Sequence, residues 1–234
     1  MRINKYLAQC GLGSRRKCDD FISRGLIKVN GKINKDFSYN VQSDDYIQYN
    51  NKLVEQENKI TIILNKPKGY ICSKEDNVDR KIIYDLVPFE NLFSIGRLDY
   101  DTTGIILLSN DGDLCYRLSH PKFKIKKKYY VSTDLKLTNE DIKKISLGIY
   151  IDQKTKVKAD ISFLSNEKNI YYWKVVLTEG KNREIKRIFN HFNIKVNRLH
   201  RYEFGGLVLR NIKEGKYKRI NKNEIKLIES LIWK

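Results

Sequence analysis

Leu92-Phe93-Ser94-Ile95-Gly96-Arg97-Leu98-Asp99-Tyr100-Asp101-Thr102-Thr103-Gly104-Ile105-Ile106-Leu107-Leu108 reads as strand, connection, strand. Two short apolar runs flank a polar segment bounded by Gly96 and Gly104, and runs of that length bounded by turn residues are strands rather than helices. Asp99 stands in the connection. A side chain anchored between two buried strands is held firmly yet still faces outward, which suits a reacting group. Asp and Gly are also ordinary turn residues, so this stretch alone leaves both readings open.

Further strands are expected at 60–64, 129–133 and 171–177, with helices near 112–119, 138–147, 182–192 and 222–232. Strands and helices interleave without a regular βαβ period, so the class is α+β: a mixed, largely antiparallel sheet with flanking helices. Residues 1–34 read differently. Ile3, Tyr6, Leu7 and Cys10 line one helical face that Gly11 and Gly13 end, Ser14 caps a second helix carrying Cys18, Phe21 and Ile22, and Gly25 closes it. A strand at 26–29 then meets the hairpin signal Asn30-Gly31. The polar stretch 37–58 places a boundary near residue 58, giving a small helical and hairpin domain over 1–58 and a larger domain over 59–234.

The 234 residues carry a formal charge of +18, with a pI near 9.6, so an anionic partner is expected. Lysine far outnumbers arginine and scattered lysine says little, so local clusters matter more. Arg15, Arg16 and Lys17 occupy the first turn of the second helix, where cations oppose the helix dipole, and their placement suits phosphate contact. Cys10, Cys18, Cys72 and Cys115 lack metal-type pairing, and His120, His191 and His200 lack ligand spacing, so reduced thiols and no metal site are expected. No signal segment or membrane span is evident, and a cytoplasmic protein without membrane association is expected.

Three segments carry chemistry. In 124–131, strand alternation puts Tyr129 on the more apolar face, and Lys124, Lys126, Lys128 and Tyr130 on the other, a basic surface with an aromatic. In 179–192, Ile185, Ile188, Phe189 and Phe192 define a buried helical face while Arg183, Lys186 and Arg187 group on another. Asn65-Lys66-Pro67-Lys68-Gly69-Tyr70 is a turn whose lysines can reach phosphates.

Taken in order, Asn65-Lys66-Pro67-Lys68-Gly69, Gly96-Arg97-Leu98-Asp99 with Thr102 and Gly104, Leu107-Leu108-Ser109-Asn110-Asp111-Gly112, His120-Pro121, Lys127-x-Tyr129 and Glu179-Gly180-Lys181-x-Arg183-x-Ile185-Lys186-Arg187 resemble the bacterial ribosomal RNA pseudouridine synthases of the RsuA/RluB type. Residues 1–34 resemble the small RNA-binding domain of a small-subunit ribosomal protein that those enzymes also carry. The match rests on Arg2-Ile3-Asn4-Lys5-Tyr6-Leu7, Ser14-Arg15-Arg16 and Gly25-Leu26-Ile27-Lys28-Val29-Asn30-Gly31.

The resemblance implies a cofactor-free isomerase that converts uridine to pseudouridine in ribosomal RNA, or in a ribosomal precursor particle, acting as a monomer. It assigns the catalytic aspartate to Asp99, the tyrosine that stacks on uracil to Tyr129, and the basic partner of the aspartate to Lys186, while passing over Asp101. Arg15, Arg16, Lys17, Lys28, Lys66, Arg97, Arg183 and Arg187 would contact RNA. Glu184 departs from the Gln usual among relatives. Asn182-Arg183 leans toward the large-subunit enzymes, whereas Leu199-His200-Arg201 and Gly205-Gly206 are similar to the small-subunit ones. A non-catalytic RNA-binding assembly factor is the rival reading.

Overall fold

The computed structural model describes residues 1–232 and divides into two units, Met1–Ile60 with 110–112, and Thr61–Ser109 with Asp113 onward. In the first unit, helix α1 (Ile3–Gln9) buries Ile3 and Leu7. Helix α2 (Arg15–Ser23) starts where Ser14 Oγ accepts the Lys17 amide at 3.2 Å, which satisfies one of the free N–H groups of the first turn. Strands β1 (Ile27–Val29), β2 (Lys32–Ile33), β3 (Ile47–Tyr49) and β4 (Lys52–Leu53) form a sheet in the order β2-β1-β3-β4. The β1–β2 turn places both Asn30 and Gly31 at positive φ, 50° and 79°, the conformation that favours this dipeptide. Cys18, Phe21, Ile22, Ile27 and Ile47 join the two helix residues in the core.

The second unit begins with β5 (Thr61–Lys66), β6 (Phe93–Ile95) and β7 (Thr103–Ser109), followed by helix α3 (Gly112–Ser119) and strand β8 (Lys127–Thr133). Helix α4 (Asn139–Leu147), the short strands β9 (Ile149–Tyr150) and β10 (Lys156–Val157), and strands β11 (Asp160–Glu167) and β12 (Ile170–Leu177) come next. The chain ends with helix α5 (Glu184–His191), strands β13 (Val196–Phe204), β14 (Leu207–Val208) and β15 (Tyr217–Arg219), and helix α6 (Lys222–Ile232). The main sheet runs β11-β12-β8-β13-β7-β5-β15, with β14 on β13 and β6 on β7. Its pairs are antiparallel except β13 with β7, so the α+β fold with a mixed, largely antiparallel sheet is as expected.

Every residue of β7 is buried, which is why its centre, Ile105-Ile106-Leu107-Leu108, is a continuous apolar run rather than an alternation. Ile105 and Leu107 join Ile63, Ile95, Leu118 and Phe204 in a core cluster beneath α3 and α6. Gly104 (φ 111°) is where β7 meets β13: a Cβ there would lie 2.2 Å from the Arg201 carbonyl oxygen, so only glycine allows the approach. Helix α4 opens with Thr138 and Asp141 each accepting the other's amide, at 3.1 and 2.9 Å.

Helix α5 starts at Glu184, two residues later than expected, because Arg183 adopts a left-handed conformation (φ 49°) that a helix cannot continue through. It buries Ile185, Ile188 and Phe189 as its spacing implies. Strands β11 and β13 are new relative to the sequence reading. Two register shifts in β13, at Val196/Arg198 and Arg201/Glu203, break the period-two pattern by which a strand is recognised. Among the described residues no helix is long and apolar enough to cross a membrane.

Candidate active site

The connection between β6 and β7 is fixed from below. Lys66, the last residue of β5, is fully buried, and its ammonium donates to four carbonyl oxygens: Thr102 at 2.8 Å, Pro67 at 3.0 Å, Asp99 at 3.1 Å and Tyr100 at 3.4 Å. Cys72 Sγ bonds both the amide and the carbonyl of Leu98, at 3.4 and 3.3 Å, and the Gly69 amide donates to Tyr100 O at 2.8 Å. Burial pulls the Lys66 pKa below the usual lysine value. The expectation that Lys66 touches phosphate is therefore corrected: a lysine without exposed surface cannot reach RNA, and its charge instead holds the backbone that carries Asp99.

Asp99 opens into a cleft of about 210 Å³ whose walls include Arg97, Thr102, Lys127, Tyr129, Arg183 and Arg201. That volume is below the ~300–1,000 Å³ of sites for drug-sized ligands, and it matches a single planar base better. Tyr129 projects into it from β8 with 7% of its surface exposed. Lys186 of α5 reaches across, its Nζ 3.7 Å from Asp99 Oδ2, and it is itself 13% exposed. A loop and a strand thus bring Asp99 and Tyr129 to one cleft, and a helix sets Lys186 beside Asp99.

Lys186 also pairs directly with Asp101 Oδ1. Partial burial works the other way, yet the hydrogen bond and attraction from Lys186 hold the Asp101 carboxyl below its usual value. Asp101, which the resemblance passes over, is thus the closer partner of Lys186. Its signal was present in the sequence, two residues from Asp99 in a fixed turn, but spacing alone does not tell two carboxylates apart.

Three further side chains line the cleft without a role assigned from sequence. Lys127, two residues before Tyr129 and so on the same strand face, donates to Ile125 O at 3.0 Å and Thr178 O at 3.3 Å. Burial, with nearby Arg201, pushes its pKa down to about 8. Arg201 of β13 is 2% exposed and donates Nε to Ile105 O at 2.7 Å, which ties β13 to β7 behind the cleft. Thr102, at the end of the Asp99 loop, is buried beside them. Strand alternation puts Lys127 on the Tyr129 face, a signal that points to the cleft, whereas nothing in Leu199-His200-Arg201 marks Arg201 as a cleft wall.

The remaining basic residues separate into groups. Arg97 and Arg183 are exposed along the cleft, open to an anion. Arg187 is engaged by Asp152 and donates to Ile151 O at 3.4 Å, so it lies outside the cleft wall. Arg15, Arg16 and Lys17 are exposed on α2, where Arg15 donates to Asn4 Oδ1 at 3.2 Å and the Lys17 ammonium stands 5.7 Å from the Phe21 ring. Lys28 is half-buried on β1. Glu184 is 4% exposed and accepts the Lys181 amide at 2.7 Å, closing the turn into α5. Burial raises its carboxyl pKa, partly offset by that hydrogen bond. Glu184 is an anchor of the turn rather than a surface anion facing phosphate.

Known proteins resemble this chain in sequence and fold. The RNA pseudouridylate synthase family matches residues 60–191 and the S4 domain family matches residues 1–47. A Bacillus subtilis protein named ribosomal large subunit pseudouridine synthase B is 34% identical over 98% of this chain and 96% of its own. One of the same name from Pseudomonas aeruginosa is 30% identical over 97% of this chain and 61% of its own. A crystal structure of a pseudouridylate synthase, 29% identical, covers 97% of this chain and 99% of its own with a TM-score of 0.70. On these likenesses of sequence and fold, the chain belongs to the RNA pseudouridylate synthase family, with an S4 domain at its N-terminus.

Proposed function

We propose that the protein converts specific uridines of large-subunit ribosomal RNA to pseudouridine, free or within a precursor particle, as a cytoplasmic monomer. Two relatives carrying the large-subunit name support that choice of RNA. The observation that carries the reaction is Asp99 and Tyr129 in the walls of one base-sized cleft, with the Lys186 ammonium 3.7 Å from the Asp99 carboxylate. Residues 1–58 act as an RNA-holding domain and 59–234 as the reacting one.

The reaction breaks the bond from C1′ to N1, turns the base, joins C1′ to C5, and moves the C5 proton to the medium while N1 gains one. Atoms and oxidation level are conserved, so no redox cofactor is consumed. The Asp99 carboxylate acts as nucleophile or base. Tyr129 stacks on a uracil that has left its helix, and assists the late proton transfer. Lys186, 3.7 Å from Asp99 Oδ2, orients the carboxylate by charge attraction. Arg97 and Arg183, beside the cleft, hold adjoining phosphates, and Arg15, Arg16, Lys17, Lys28 and Arg187 add contacts elsewhere on the RNA.

A pure binding module gains nothing from a carboxylate in a cationic cleft, where it repels phosphate, and this disfavours the assembly-factor reading. Incubation with unmodified large- and small-subunit ribosomal RNA, followed by chemical mapping of pseudouridine, tests the proposal. Product at a defined large-subunit uridine is expected. Product only in the small-subunit RNA, or in neither, overturns the assignment.

A further inference from the structure

One feature of the second unit has no part in the chemistry above. Tyr116 of α3, and His120 and Phe123 beyond its end, bring three rings together: the Tyr116 centroid lies 5.0 Å from that of His120 and 6.2 Å from that of Phe123, and His120 and Phe123 are 6.5 Å apart. This is not core. Tyr116 is 49% exposed and His120 is exposed as well. The Lys122 ammonium stands 5.3 Å from the Tyr116 centroid and 4.8 Å from that of Phe123, a cation held against aromatic faces at the surface. Lys124 and Lys126 follow, both exposed.

The place of the cluster gives it meaning. Leu118, Ser119 and Pro121, which alternate with its members along the chain, line the same cleft as Asp99 and Tyr129. Two exposed rings, Tyr116 and His120, close in the chain to residues that line a base-sized cleft and flanked by lysines, combine the two elements that bind single-stranded nucleic acid: aromatic faces for bases and cations for the backbone. The positive charge favours an RNA strand over an apolar protein segment as occupant.

We propose that Tyr116, with His120 and Phe123 behind it, stacks an unpaired nucleobase adjoining the target uridine, a second base site at the cleft edge. It rests on the reading that the cleft receives a uridine of RNA. The site takes any base with a π face, so it fixes the strand's path and its single-stranded state rather than its sequence.

The test uses the full-length protein and a short single-stranded RNA with 2-aminopurine next to a uridine, since stacking quenches that fluorophore. Wild type is expected to quench it and Tyr116→Phe to do so almost as well. Tyr116→Leu keeps apolar packing without an aromatic face, and it is expected to lose the quenching and bind about ten-fold more weakly, within the roughly 5- to 150-fold range of base–aromatic stacking. A fall in binding with an unchanged salt slope separates stacking from phosphate contact. Quenching and affinity in Tyr116→Leu equal to wild type overturn the proposal, as does equal loss in Tyr116→Phe. Binding is read without turnover, so absence of pseudouridine would count against the proposed reaction and not against this result.

Discussion

Replacement of Lys66 by methionine removes a charge that no solvent reaches while keeping most of the side-chain volume. Four carbonyl oxygens, at 2.8 to 3.4 Å, lose their shared donor. Hydrogen bonds to a charged group contribute about 1.5–3 kcal/mol each, but the ammonium's own desolvation offsets much of that, and removing one side of such a buried set costs about 3–5 kcal/mol. We expect Lys66→Met to lose about 3 kcal/mol of stability in urea titrations. The Asp99 and Thr102 carbonyls are among the four, so the Asp99 carboxylate also shifts. A displacement near 1 Å costs on the order of 100-fold in rate, which sets the expected fall in single-turnover rate for enzyme that remains folded. RNA affinity and its salt slope should stay close to wild type. A Lys66→Met protein with normal stability and rate but a salt slope reduced by about one would refute this reasoning and return Lys66 to phosphate contact.

Gly104→Ala places a methyl 2.2 Å from the Arg201 carbonyl in a backbone conformation that L residues rarely adopt; overpacking and strain together predict a loss of about 3 kcal/mol in urea titration. Lys127, with its pKa pushed down to about 8, is charged below and neutral above that pH. The unfolded chain binds more protons between about 8 and 10.4, so this group makes stability rise with pH through that window, and Lys127→Met should flatten the rise and be more stable at neutral pH. Arg183→Gln should weaken RNA binding and lower the salt slope by about one, whereas Arg187→Gln, whose guanidinium is already engaged by Asp152, should change the slope less when both are titrated against the same RNA.

The elements that sequence made legible are those with strong local signals. The continuous apolar run of β7, the Ser14 cap, the Asn30-Gly31 turn and the stripe of Ile185, Ile188 and Phe189 each carry a periodicity or a turn chemistry that survives in the fold. Strand β13 was hidden because its register shifts scramble the alternation, and its central place in the sheet comes from pairing with β7 and β8, which no window along the chain contains. The same limit applies to the site. Motif order singled out Asp99, Tyr129 and Lys186, but whether Lys66 faces solvent or carbonyls depends on residues 33–36 positions away. A lysine beside a turn looks like a surface charge until the loop it holds is in view. Asp101 and Arg201 were likewise invisible as partners until helix α5 and strand β13 were placed against β7.

The central claim, that Asp99 in this braced loop performs the isomerisation, is tested most directly by single-turnover conversion with Asp99→Asn, measured beside its RNA affinity. The account expects binding within a few-fold of wild type, since an amide fits the same space and repels phosphate less, and no detectable pseudouridine. Pseudouridine formed by Asp99→Asn at a rate near that of wild type would contradict it.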